Sequence, residues 1–228
     1  TAQTPTDGRM EMIKATDINV TINRRMTEMT GAYNGAIMGA CSGLVEGTKV
    51  ATAMGFQRIE AIECGDRVVT FDNGLQTVRA VRREPIWFAE GDCPRAMQPL
   101  FVPAGAIGNA QDMVLLPHQA VLVESDVAEA ELGDPFVLMM AKDLEGVRGI
   151  TRVTPEAPAF TVTLEFDNDE VVFAASGAMC ICPSRTDLEG MLNRPEGGRE
   201  YRTLKSWSDA ALVAAVRHEL DDGLAQAA

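Results

Sequence analysis

Aromatic side chains are scarce. Two Trp, two Tyr and eight Phe make up 5% of the 228 residues, too few rings for the stacking platform that sugar or base recognition uses. Histidine is scarcer still, with only His118 and His218. Neither lies at zinc-ligand spacing from the lone Cys180-x-Cys182 pair, so no metal site is expected. On a strand those two thiols would face one side, as small buried hydrophobes. The five cysteines are odd in number and irregular in spacing, which rules out a regular disulfide framework. Basic charge is also short: 20 Lys and Arg against 33 Asp and Glu give a net charge of −13. That balance argues against binding nucleic acid or an anionic membrane by bulk electrostatics. No apolar run approaches the roughly eighteen residues of a membrane span. The first residues, TAQTPTDGRMEM, lack the basic-then-apolar order of a secretory leader. The composition fits a soluble protein with no cofactor.

What the chain does have is apolar content, at 46%, in short alternating bursts. The length suits one ordinary domain with appendages, and three segments are expected. Residues 1–42 form a polar, methionine-rich arm. Its one strand-like alternation is Ile18-Asn19-Val20-Thr21-Ile22, too little apolar surface to fold alone. Residues 43–183 carry strand bursts at 48–52, 66–71, 76–82, 99–102, 112–116, 120–124, 136–140, 160–166 and 170–174. Short strands separated by turns, with little helical periodicity, predict an all-β domain of antiparallel strands. Asp72-Asn73-Gly74 is its strongest hairpin signal. Residues 184–228 begin with a loop around Pro195-Glu196-Gly197-Gly198 and end in a helix over about Trp207 to Leu220. Ser206 is its expected cap, with Asp209 three residues on. Leu212, Val216 and Leu220 form its stripe, and Gly223 its stop.

The stretch GLVEGTKVATAMGFQRIEAIECGDRVVTFDNGLQ, residues 43–76, resembles the opening block of the bacterial Hint (hedgehog/intein) family. That block runs roughly C-x-x-x-G-T-x-I-x-T-x-x-G, then V-E-x-L-x-x-G-D-x-V-x-T-x-D-x-G-x-Q-x-V. Gly47-Thr48, Thr52, Gly55, Glu60, Gly65-Asp66, Val68, Thr70, Asp72, Gly74, Gln76 and Val78 fall in register. Further on, Leu115-Leu116-Pro117-His118-Gln119-Ala120-Val121-Leu122-Val123 is similar to the family's L-S-P-x-H-x-V-L-V segment. The run from Phe160 to Val172, with Ala174-Ala175-Ser176-Gly177 after it, resembles a late strand pair. The likeness covers about 130 residues and implies a compact Hint-like β-domain.

The resemblance also implies a chemistry. Family members cut their own backbone: the first residue, usually Cys or Ser, attacks the carbonyl before it, and a middle-block histidine protonates the leaving nitrogen. Here the nucleophile position falls on Gly43 and the histidine position on Gln119; two late positions where relatives often carry His hold Thr163 and Asp169. A missing nucleophile cannot be compensated, so no catalytic residue is expected. The alternative self-processing reading needs Cys41 or Ser42 as nucleophile in a shifted register and His118 as acid. His118, on a strand, would point away from the face of Gln119. His218 reads as a solvated or capping residue, Asp66 and Asp72 as turn residues, and Trp87, Met139 and Met140 as core or interface. The reading that results is a structural or interaction module. It would meet a protein partner or a second copy through residues 1–42, within a secreted surface structure or a phage-like particle. A small-molecule or glycan-binding domain is a third class, without an aromatic platform to support it.

Overall fold

The computed structural model describes residues 42–86, 93–154, 159–184 and 199–222. The arm with Cys41, and Trp87, Pro195-Glu196-Gly197-Gly198 and Gly223, lie outside the described residues.

The alternating bursts become strands. In chain order they are β1 (Leu44–Val45), β2 (Lys49–Thr52), β3 (Gly55–Arg58), β4 (Arg67–Thr70), β5 (Gly74–Thr77), β6 (Ala80–Pro85), β7 (Leu100–Val102), β8 (Met113–Leu115) and β9 (Ala120–Glu124). A short helix α1 (Asp126–Leu132) precedes β10 (Phe136–Met140), β11 (Thr151–Arg152), β12 (Phe160–Glu165), β13 (Glu170–Ala174), β14 (Ala178–Cys182), β15 (Arg202–Thr203) and the helix α2 (Ala210–Asp222).

Two sheets result. One holds six strands in the order β11-β7-β8-β1-β12-β6. The other runs β15-β10-β9-β14-β13-β2-β4-β5, with β3 on the side of β2. Among the described residues every strand pairing is antiparallel except β10 with β15, and the isolated bridge between Phe166 and Ser184 is parallel. Alternation sends Val50, Val68, Leu115, Val162, Leu164 and Val172 into one shared core, each at most 2% exposed. Strand β1 is only two residues long, yet it is central in its sheet, with Leu44 opposite both Val162 and Leu115.

The hairpin signal holds. Thr70 pairs with Gly74 across a three-residue turn, and Gly74 has φ +64°, a left-handed conformation that glycine adopts without a Cβ penalty. The expected run 76–82 divides into β5 and β6 because the chain changes sheets at Val78. There Gly65 N–H donates to the Val78 carbonyl and Val78 N–H to the Asp66 carbonyl, both at 2.8 Å. One residue later Arg79 N–H already bonds the Glu165 carbonyl.

Helix α1 leaves no periodic signal in the sequence. Its seven residues are too few to display a stripe, but its caps are regular. The Ser125 hydroxyl accepts from Ala128 N–H at 3.1 Å, and Gly133 closes the helix in left-handed geometry. Helix α2 begins three residues later than expected. Ser206 is not its cap; the Asp209 carboxylate accepts from Lys205 N–H and Arg202, which winds residues 205–208 into a turn. Asp209 instead offers its carbonyl to Val213 N–H. The expected stripe is real, with Val213 and Val216 buried and Leu212 and Leu220 packed beside them.

This helix is fastened to the β-body at several points. Arg217 donates to the Glu145 carbonyl at 2.7 Å, and Arg148 N–H donates to Asp221 at 2.7 Å. The Glu219 carboxylate accepts from Asp126 N–H and from the Ser125 hydroxyl. Removing two methyl groups from a buried valine opens a cavity that a well-fastened helix cannot close. Val216→Ala is therefore expected to lower unfolding free energy by about 1–3 kcal/mol, measured by urea titration. An unchanged midpoint would mean that α2 contributes nothing to the fold.

Candidate functional site

The chain enters β1 through Ser42 and Gly43, and the bond between them sits against β12. Gly43 is buried, with φ +102°. Its N–H donates to Gln119 Oε1 at 2.8 Å. The Gln119 side chain, 4% exposed, spends both its N–H groups on the carbonyls of Ala120 and Ile181, each at 2.9 Å. The amide is thus held from three directions. Its oxygen faces the Gly43 nitrogen as an acceptor and has no proton to give.

The space where a side chain at residue 43 would stand is filled. A Cβ there would lie 2.4 Å from Thr161 Oγ1 and 2.8 Å from Thr163 Oγ1, with the Val162 carbonyl at 3.3 Å. Thr161 and Thr163 are two apart on β12, so both hydroxyls face the same way. Thr161 Oγ1 reaches the carbonyls of Leu44 at 3.2 Å and Ser42 at 3.4 Å. In the sequence Thr161 is only one position of a T-V-T alternation at 161–163, with nothing to mark its place beside Gly43.

His118 is on a turn rather than a strand. Leu116, Pro117, His118 and Gln119 make a tight turn closed by Gln119 N–H to the Leu116 carbonyl at 3.0 Å, because the fixed φ of Pro117 favours a bend there. Its Nδ1 is buried without a hydrogen-bond partner. Burial, and then the positive charges of Lys142 and Arg152, lower its pKa from 6.5 to about 4. At neutral pH the ring is therefore uncharged. Ser42 is exposed, and Cys41 lies outside the described residues.

A model of the Hint domain family matches residues 42–180. The chain belongs to the Hint domain family. No curated protein matches it. Among solved structures it is similar to the bacterial intein-like domain from Clostridium thermocellum, at 15% identity over 62% of this chain and 99% of that one, TM-score 0.44. It is similar also to the AceL NrdHF class 3 split intein, at 17% identity over 64% and 99%, TM-score 0.43. The MchDnaB-1 intein is a third, at 14% identity over 62% and 99%, TM-score 0.38.

The remaining candidates have local partners. Asp169 accepts from Ser184 N–H at 2.7 Å, and Asp66 accepts from Glu63 N–H at 2.9 Å. Asp72 accepts from the Tyr201 hydroxyl at 2.7 Å. His218 is exposed on α2 and pairs with Asp222 one turn on, at 2.7 Å. Cys180 and Cys182 are buried, and desolvation raises both thiol pKa values, that of Cys182 to about 12. Met139 is fully buried and Met140 packs in a second cluster. Among the described residues no group of three His, Cys, Asp or Glu side chains could hold a metal ion. No described helix is long and apolar enough to cross a membrane.

Two outcomes test this Hint geometry. Gly43→Ala must tolerate positive φ, at about 1–2 kcal/mol, and meet Thr161. It should cost more than about 2 kcal/mol by urea titration, and less in a Thr161→Ala background, since the two sites touch. The pKa of His118 is depressed in the fold, so its stabilising share is complete above 6.5 and is lost as pH falls toward about 4. Thermal melts of His118→Leu should therefore lose less stability than wild type between pH 7 and pH 4. Equal slopes would place the His118 ring in solvent.

Proposed function

We propose that this Hint domain is a non-catalytic structural and interaction module, docked through residues 1–42 into a larger protein assembly such as a secreted surface structure or a phage-like particle. The observation that carries this reading is the closed space at Gly43, with the Thr161 hydroxyl 2.4 Å from where a Cβ would stand. Self-cleavage in the family's manner needs an attacking atom at residue 43 and a proton donor at the nitrogen being released. Glycine supplies no attacking atom. Gln119 Oε1 accepts the Gly43 N–H, and an amide oxygen does not donate. The alternative, with Cys41 or Ser42 as nucleophile and His118 as acid, finds no support in a histidine that is neutral at pH 7 and whose Nδ1 makes no hydrogen bond.

The role of the arm rests on an energy argument. Burying the side chains of Ile18, Val20 and Ile22 is worth about 1.5–3 kcal/mol each. Fixing each backbone residue costs about 1–2 kcal/mol, a sum over some forty residues that three such side chains do not offset. Adding a strand to a partner's sheet supplies backbone hydrogen bonds as well.

Intact mass spectrometry of the purified chain, with and without excess thiol at neutral pH, should return one full-length species. Gly43→Cys alone should also stay uncut, because Thr161 and Thr163 occupy the room its sulfur needs. A fragment that begins near residue 41 or 43, and that disappears in Cys41→Ala or His118→Ala, would overturn the non-catalytic reading. Deleting residues 1–41 should leave cooperative thermal unfolding intact and reduce the assembled size seen by light scattering. Loss of cooperative unfolding would instead make the arm part of the fold.

A further inference from the structure

The two hairpins β2–β3 and β4–β5 form a face whose chemistry runs against that of the rest of the chain. Ala51 stands opposite Phe56, and Val69 opposite Leu75. Thr52 opposite Val68 brings Ala51 alongside Val69. Val50, Thr52, Val68 and Thr70 point into the core. Alternation therefore turns the row Phe56, Ala51, Val69, Leu75 outward. Phe56 is 51% and Leu75 37% exposed, and Met54 at the hairpin tip is 84% exposed.

Basic side chains flank this row on both sides. Lys49 and Arg58 are cross-strand partners on one side, and Arg67 stands opposite Thr77 on the other. All three are exposed. Of the eight outward positions on these four strands none is acidic, in a chain of net charge −13. Arg58 has one loose ion pair with Glu60, at 3.6 Å. Arg67 donates to the Leu75 carbonyl at 3.4 Å.

Strand β3 has a free side. Among the described residues it pairs with β2 only. Its ladder to β2 continues at Ile59 N–H to the Thr48 carbonyl, at 2.8 Å. The alternation of an antiparallel ladder then leaves the backbone N–H and C=O of Phe56 and Arg58 facing outward. Charged residues alone would blunt such an edge, but Phe56 makes it apolar as well. We propose that β3 is the docking edge for an extended acidic segment of a partner protein. That segment adds as a strand and carries Asp or Glu two residues from Val, Ile or Leu on one face. The carboxylate meets Arg58 and Lys49, and the apolar side chain meets Phe56. This site is independent of residues 1–42, and it would stand if the arm proposal failed.

The test is fluorescence anisotropy of labelled peptides titrated with the full chain. The peptide ETVTETV should bind at least about tenfold more tightly than KTVTKTV, with a preference that weakens in high salt. The chain's overall charge favours the basic peptide, so an acidic preference has to arise on this face. ETSTETS and the variant Phe56→Ser should each weaken binding by about tenfold or more. The double variant Lys49→Glu/Arg58→Glu should prefer KTVTKTV, a gain that unfolding cannot mimic. No preference between the two peptides would overturn the proposal. So would Phe56-dependent sedimentation with vesicles of three parts phosphatidylcholine to one of phosphatidylglycerol, which would assign the face to a membrane. Self-association abolished by Phe56→Ser would assign it to a second copy and would overturn the proposal equally.

Discussion

One side-chain amide joins the two sheets. Gln119 takes the Gly43 N–H at the mouth of β1, in the six-stranded sheet, and donates to the carbonyls of Ala120 and Ile181 in the nine-stranded sheet. The bonds to Gly43 and Ala120 are buried and the one to Ile181 is partly so, and a buried partner left unmade costs about 1–3 kcal/mol. A shift of either sheet by one residue would break them together, so the amide fixes register as well as contact. Its bonds do not depend on pH. A histidine in that place would change its number of donors near neutrality, and the turn that carries Gln119 already holds one half-buried ring, His118, with no hydrogen bond at its buried Nδ1.

A second set of buried polar groups holds the hairpin that carries Val69 and Leu75. Glu170, 4% exposed, accepts from Asn73 Nδ2 with both oxygens at 3.1 Å. Burial raises its pKa, and the charges of Asp72 and Asp169 add to the shift. Thr70 Oγ1 donates to the Gly74 carbonyl at 3.0 Å, and the Tyr201 hydroxyl reaches across to Asp72. The turn is thereby tied to β13 and to the segment ahead of β15. Glu165 differs: it is buried too, but Arg82 meets it at 2.6 Å. Rigid turns of this kind keep the outward row of side chains in fixed spacing.

Much of the fold was legible because strand alternation and turn chemistry are local. The runs at 48–52, 66–71, 120–124 and 170–174 became strands, and Asn73-Gly74 became a hairpin turn, since each depends on residues a few positions apart. Two-residue strands such as β1 and β15 carry no periodicity to read. They exist because β8, β12 and β10 are beside them. The candidate site was legible as departures from a family pattern at Gly43 and Gln119. What the sequence could not convey was that these two meet, 76 positions apart, or that Thr161 stands where a side chain at residue 43 would go. Ser206 has the residue type of a cap, but the competing carboxylate of Asp209 organises the turn before the helix.

The two hydroxyls beside Gly43 also constrain the order in which this chain can change. Any side chain introduced at residue 43 collides with Thr161 before it can confer a benefit. Shrinking Thr161 and Thr163 first is the passable route, although each step alone brings no gain. Mutational paths through this corner of the molecule therefore run in one sequence and not the reverse, a directional barrier set by two oxygen atoms.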